Sequence, residues 1–138
     1  MAERAAQIPL FGPSLDVVPR LKRVMAAALR ESRLSREQVV DAMNRTLEAE
    51  GLGLRVTINS LEKWVAPSQG HVIPLPALPV FCRVLDTSEP LSVLAAPLGA
   101  FVAGERERQL MLLGEAQVEA KQVARKRRNA LEALEDLA

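Results

Sequence analysis

Apolar residues recur three or four positions apart through most of this chain, and that spacing is the feature that most constrains its fold. Each segment with this pattern is short and is bounded by a glycine, a proline or a Ser or Thr suited to cap a helix. Aromatic residues, which strands favour, are few: there is no Tyr, one Trp and three Phe. The sequence therefore predicts an all-α protein.

The boundary signals divide the chain into a compact bundle and one long helix. We predict five short helices, over 18–31, from a cap at Ser35 to near Gly51, over 58–65, over 76–85, and from a cap at Ser88 to about Leu98. The 138 residues suit one such domain with an appendage. The predicted division is a mobile N-terminal tail, the bundle, and a C-terminal helix of roughly 50 Å, with bounds 1–14, 15–99 and 100–138.

Two helix starts carry strong signals. Ser35 and Gln38 have the spacing of a capping box, and Leu34 and Val39 that of a hydrophobic staple. Thr57 is placed to cap the third helix. The spacing predicts that the third helix buries one face and exposes an opposite polar arc, with Trp64 packing at the boundary. The buried set is Ile58, Leu61 and Val65, and the polar set is Asn59, Ser60 and Lys63.

Several classes of function find no support in the sequence. The single Cys and single His cannot make a disulfide or a zinc site. There is no glycine-rich phosphate loop and no Ser/His/Asp set, so we expect no enzyme activity, no metal and no cofactor. No apolar stretch approaches the ~20 residues that span a bilayer, and we expect a cytoplasmic protein.

Two motifs in the region 34–98 suggest a known family: they are Leu34-Ser35-Arg36-Glu37-Gln38-Val39-Val40 and Leu61-Glu62-Lys63-Trp64. The first is similar to the opening of the second helix, and the second to the end of the third helix, of the lambda-repressor-like, Cro-type helix-turn-helix family, which this region resembles. Three features are most similar to the phage CII-like regulators: the end of the third helix, the loop into a helix that starts with proline, and the C-terminal helical extension. The chain departs from the pattern where Arg55 replaces a glycine of the turn, and where Ile58 replaces a polar base-reading residue.

The resemblance implies a lambda-repressor-like bundle that binds double-stranded DNA. Arg36 would contact the DNA backbone, and the outward face of the third helix would lie in the major groove. Ile58 would either touch a thymine methyl or belong to the core. The predicted DNA contacts are Arg36, Gln38, Arg55, Thr57, Asn59, Ser60 and Lys63.

The C-terminal helix has an apolar seam at near-heptad spacing, which Gln117 and Arg127 interrupt. A second copy of the chain is the partner that we favour for this seam, and packing on its own domain is the alternative. The oligomerisation residues would be Leu110, Leu113, Leu131 and Leu134. The basic run 121–128 is by default a solvated face; the alternative is contact with the DNA backbone through Lys121, Arg125 and Arg128.

Two functions follow from these observations. The first is a sequence-specific transcriptional regulator of phage or prophage type, acting as a homodimer or higher homo-oligomer. The second is a helical adaptor that binds other proteins through the Trp64 face and the C-terminal helix, without binding DNA. The net charge of +1 does not by itself attract nucleic acid, so a DNA-binding surface depends on local charge.

Overall fold

The computed structural model describes residues 14–68 and 70–137, so nearly all of the predicted N-terminal tail, 1–14, lies outside the described residues. These ranges contain helices and no strand, which confirms the all-α prediction. They divide into two compact units, one ending at Val102 and one beginning at Ala103. The helices are α1 (Val18–Glu31), α2 (Arg36–Ala49), α3 (Ile58–Val65), α4 (Ala77–Val84), α5 (Glu89–Ala95) and α6 (Glu105–Asp136).

The first unit holds the five short helices where the sequence predicts them. The bounds of α1 and α3 match the prediction at both ends, and those of α2 and α4 differ from it by one or two residues. The fifth predicted helix is α5 followed by a 3₁₀ turn over Ala96–Leu98. Gly99 ends that turn at φ +70°, a left-handed conformation that glycine adopts without strain.

The core of this unit draws on all five helices, and its members Phe81 and Met25 are fully buried. Helix α2 packs on α4, and α1 packs on α5, while α3 packs against both α1 and α2. The eight-residue α3 contributes Leu61, Trp64 and Val65 to this core. The predicted packing role of Trp64 is therefore confirmed.

Two apolar residues of the predicted helices, one of them assigned to the buried face, are exposed. Ile58 exposes 41% of its surface, whereas Val56, in the segment before α3, is packed into the core and is 1% exposed. Leu98 exposes 77%, because the chain leaves the α-helical path at the 3₁₀ turn and its periodicity no longer applies. Ile58 is thus not part of the core.

Of the three predicted helix caps, those at Ser35 and Thr57 form and the one at Ser88 does not. The Gln38 N–H donates to Ser35 Oγ at 3.1 Å, and the Ser35 N–H donates to Gln38 Oε1 at 2.8 Å, completing the predicted capping box. Ser88, by contrast, makes no side-chain cap for α5. The preceding hydroxyl, Thr87 Oγ1, accepts the Glu89 N–H at 3.2 Å instead.

The second unit consists of the predicted long helix. Helix α6 has 32 residues, and all of them except Gly114 are exposed. None of the helices in the described ranges combines the length and apolar character needed to cross a bilayer.

The contrast between Ser35 and Ser88 gives a test of the fold. Ser35→Ala should lower the free energy of unfolding by about 1 kcal/mol, since it leaves an N–H at the start of α2 without its acceptor. Ser88→Ala should change it by less than about 0.5 kcal/mol. Urea unfolding followed by circular dichroism measures both. Equal losses in the two variants would contradict the assignment of the caps.

Candidate nucleic-acid interface

The start of α3 is fixed by an amide clamp from α2. Asn44 Nδ2 donates to the Val56 carbonyl and the Val56 N–H donates to Asn44 Oδ1, both at 2.8 Å. One side chain thus satisfies both backbone groups of a buried residue, as a neighbouring strand would. Because Val56 directly precedes the cap of α3, the clamp sets where that helix begins.

The end of α3 is fixed by a buried lysine from α1. Lys22 is 2% exposed and is the only buried charged residue in the part of the chain that the structure describes. Its ammonium donates to the carbonyls of Lys63 (3.0 Å), Trp64 (3.1 Å) and His71. Two of these carbonyls belong to the last turn of α3, where no intrahelical N–H can reach them.

The three carbonyls match the three N–H groups of a protonated lysine. Burial lowers the pKa of Lys22, because removal from water disfavours the charged form. The negative end of the α3 dipole acts in the opposite sense and favours a cation at this position. Lys22 therefore works as a cap for the C-terminus of α3 and also holds the loop at His71.

The hydroxyl groups at the start of α3 are already engaged. The Ser60 N–H donates to Thr57 Oγ1 at 3.0 Å, the Thr57 N–H donates to Ser60 Oγ at 2.9 Å, and the Ser60 hydroxyl lies 2.9 Å from the Thr57 carbonyl. Thr57 and Ser60 were both predicted to contact DNA. In the structure each serves the capping box, so any base contact by either one has to compete with that box.

The outward face of α3 is therefore formed mainly by the side chains outside the capping box. Ile58 and Asn59 are exposed, and Lys63 is half-buried with only its backbone carbonyl used by Lys22. Glu62 also lies on this side of α3 and is exposed. The surface combines one amide, one cation, one carboxylate and one branched apolar side chain.

An ion pair joins this face to the start of α2. Arg36 Nη1 lies 3.6 Å from Glu62 Oε1, and both side chains are partly exposed. A pair this exposed contributes little to stability. It brings Arg36, the predicted backbone contact, beside α3, and it sets an acidic group against the cation.

The remaining predicted DNA contacts are exposed as well. Arg55 lies just before α3, and Gln38 is exposed on the first turn of α2 with its amide oxygen committed to the Ser35 cap. The cations proposed as further backbone contacts belong to α6 in the second unit. They are exposed at Lys121, Arg125 and Arg128.

Sequence reasoning missed the two side chains that hold α3 in place. Both occupy apolar stripes: Lys22 follows Val18 by four residues and precedes Met25 by three, and Asn44 follows Val40 by four and precedes Leu47 by three. A polar residue on a buried stripe needs hydrogen-bond partners. That spacing was a usable signal, although it does not say which groups are the partners.

Two observations concern metal-ligating and thiol groups in the part of the chain that the structure describes. No three His, Cys, Asp or Glu side chains within it come together as a metal site. Cys82 is buried, and its burial raises the pKa of the thiol. The chemistry displayed around α3 is that of hydrogen bonding and charge.

Comparison of the chain with protein-family models, with characterised proteins and with solved structures found no match.

The Lys22 cap can be tested by removing its charge at nearly constant volume. Lys22→Met should lower the free energy of unfolding by about 2–4 kcal/mol, because three inward carbonyls lose their donor. Arg23→Met, at the exposed neighbouring position of α1, is the matched control and should change it by less than about 0.5 kcal/mol. Urea titration of both variants measures the difference; similar values for the two would disprove the cap.

Proposed function

We propose that this protein is a sequence-specific transcriptional regulator that inserts α3 into the major groove of duplex DNA and acts as a homo-oligomer through α6. One observation carries the proposal: a short helix is held at its end by the buried Lys22 and at its start by the half-buried Asn44, while it presents a small polar face to solvent. The major groove admits a helix of this kind, and a fixed position is what base reading needs.

The exposed side chains of α3 suit particular base edges. The Asn59 amide can pair with N6 and N7 of adenine, and the Lys63 ammonium suits guanine O6 and N7 or a phosphate. Ile58, exposed and next to Asn59, can contact the 5-methyl group of thymine. Together these side chains favour a half-site that contains neighbouring A·T pairs.

Phosphate contacts would come from the flanks of α3. In the first turn of α2, the backbone N–H of Gln38 donates to the Ser35 hydroxyl. The backbone N–H groups that precede Gln38 in this turn favour an anion at this end of the helix. Arg36 beside that turn and Arg55 ahead of α3 add positive charge. Docking on DNA would then draw the Arg36 guanidinium from Glu62 towards a phosphate, with which it can form a bidentate pair.

A second candidate function is a protein-interaction adaptor. The exposed Ile58 and the net charge of only +1 favour it, because an apolar side chain on a weakly charged surface also suits a protein partner. The two functions differ in the salt dependence of binding to random duplex DNA. A regulator that neutralises several phosphates loses affinity steeply as salt rises, whereas an adaptor has no such affinity to lose.

The base-reading face is tested with a duplex obtained by selection from random DNA. Asn59→Ala and Lys63→Ala should each weaken binding to the selected duplex by about 1–3 kcal/mol without lowering the melting temperature. Arg83→Ala, at an exposed position of α4, is the control and should leave affinity unchanged. Fluorescence anisotropy measures each Kd. Failure to select any preferred sequence would overturn the proposed function.

The role of Ile58 is tested by removing the methyl group from the DNA. Replacing thymine by uracil at one position of the selected duplex should weaken wild-type binding about fourfold, since one buried methyl is worth about 0.8 kcal/mol. The same replacement should leave the binding of Ile58→Ala unchanged. If no thymine in the half-site shows this coupling, the contact is wrong, while the rest of the proposal stands on the Asn59 and Lys63 results.

A further inference from the structure

The seam of α6 reads almost the same from either end. Eight exposed positions at alternating spacings of three and four lie on one side of the helix. From the N-terminal end they are two leucines, a polar residue and an alanine, followed by an alanine, a polar residue and two leucines. They are Leu110, Leu113, Gln117, Ala120, Ala124, Arg127, Leu131 and Leu134.

We propose that α6 pairs with α6 of a second copy of this chain in antiparallel orientation, with the twofold axis at Gln122. This inference rests on the self-association in the proposed function and makes it specific in direction and register. It does not require DNA binding. The two helices overlap from Arg108 to Asp136, and their starts at Glu105 lie about 50 Å apart at 1.5 Å per residue.

This register matches every seam position with a suitable partner. Leu110 meets Leu134 of the second copy, and Leu113 meets Leu131, so that both ends of the pair are closed by leucines. Ala120 meets Ala124 at the centre, where small side chains let the two backbones approach closely. The residues that carry the apolar contacts are the same ones that the sequence assigns to oligomerisation.

The two polar residues of the seam decide the orientation. In a parallel, in-register pair Arg127 would face Arg127, and two guanidinium groups would be held together with no acceptor between them. In the antiparallel pair each Arg127 faces Gln117 of the second copy, whose amide oxygen accepts a hydrogen bond from the guanidinium. Polar seam residues fix register and orientation in paired helices in this way.

Charges outside the seam favour the same orientation. The strongest basic run of α6, 121–128, is preceded by Glu115 and Glu119. A parallel pair would place the two basic runs side by side. In the antiparallel pair the run 121–128 of one copy lies level with 116–123 of the second copy, a stretch that includes Glu119, so the two basic runs overlap by only three residues.

Orientation is measured by distances between spin labels in the full-length chain, with Cys82→Ala removing the native thiol. Arg108→Cys and Gln122→Cys both lie on the side of α6 away from the seam. In the antiparallel pair the label distance should be roughly 45 Å at Arg108 and roughly 20 Å at Gln122, from the helix rise and an interaxial separation of about 8–10 Å. A parallel pair gives about 20 Å at both positions and overturns the proposal.

A single substitution gives an independent test. Gln117→Glu sets a carboxylate against Arg127 of the second copy, so the dimer dissociation constant should fall roughly threefold or more. In a parallel pair the same change would set the two introduced carboxylates against each other and weaken the dimer. Gln122→Glu, away from the seam, is the matched control. Sedimentation equilibrium measures the dimer dissociation constants of the wild type, Gln117→Glu and Gln122→Glu.

The possible outcomes separate this inference from DNA binding. A wild-type protein that stays monomeric in sedimentation overturns the pairing, whatever its affinity for DNA. A dimer that Gln117→Glu weakens overturns the orientation and leaves self-association intact. A dimer with the long Arg108 distance supports the pairing even if the DNA selection fails.

Discussion

The arrangement of the first unit depends on one buried ammonium group. Lys22 projects from the second turn of α1 and accounts for two carbonyls in the last turn of α3 together with the carbonyl of His71. A helix of eight residues is too short to be stable by itself, so its position has to come from its neighbours. Without the ammonium, the inward end of α3 would present polar groups to an apolar core. Asn44 hydrogen-bonds the backbone just before α3, as Lys22 hydrogen-bonds the backbone at its end.

This arrangement divides α3 between two tasks. Leu61, Trp64 and Val65 are buried, and the hydroxyl groups of the first turn are used in the capping box. What is left to meet a partner is small: Ile58, Asn59 and the Lys63 ammonium, with Glu62 held near Arg36. A surface so limited suits a groove that already presents ordered donors, acceptors and methyl groups, and this is why duplex DNA is the partner that we propose.

The sequence predicts the helices well because their determinants are local. The bounds of α1 and α3 and the capping box at Ser35 depend on residues within one or two turns of each other. The clamps could not be derived in the same way, because Lys22 and its acceptors are more than forty residues apart in the chain. Ile58 shows a second limit: periodicity identifies a face but not its edge, so Ile58 is exposed while Val56, just outside the helix, is buried.

The separation between the residues that hold α3 and those that it displays has an evolutionary consequence. Lys22 and Asn44 act on backbone atoms, so they are indifferent to which side chains occupy positions 58, 59 and 63. Those three positions can therefore drift or be redesigned while the scaffold keeps its stability. A lineage built on this bundle could acquire new targets one substitution at a time, without passing through unfolded intermediates.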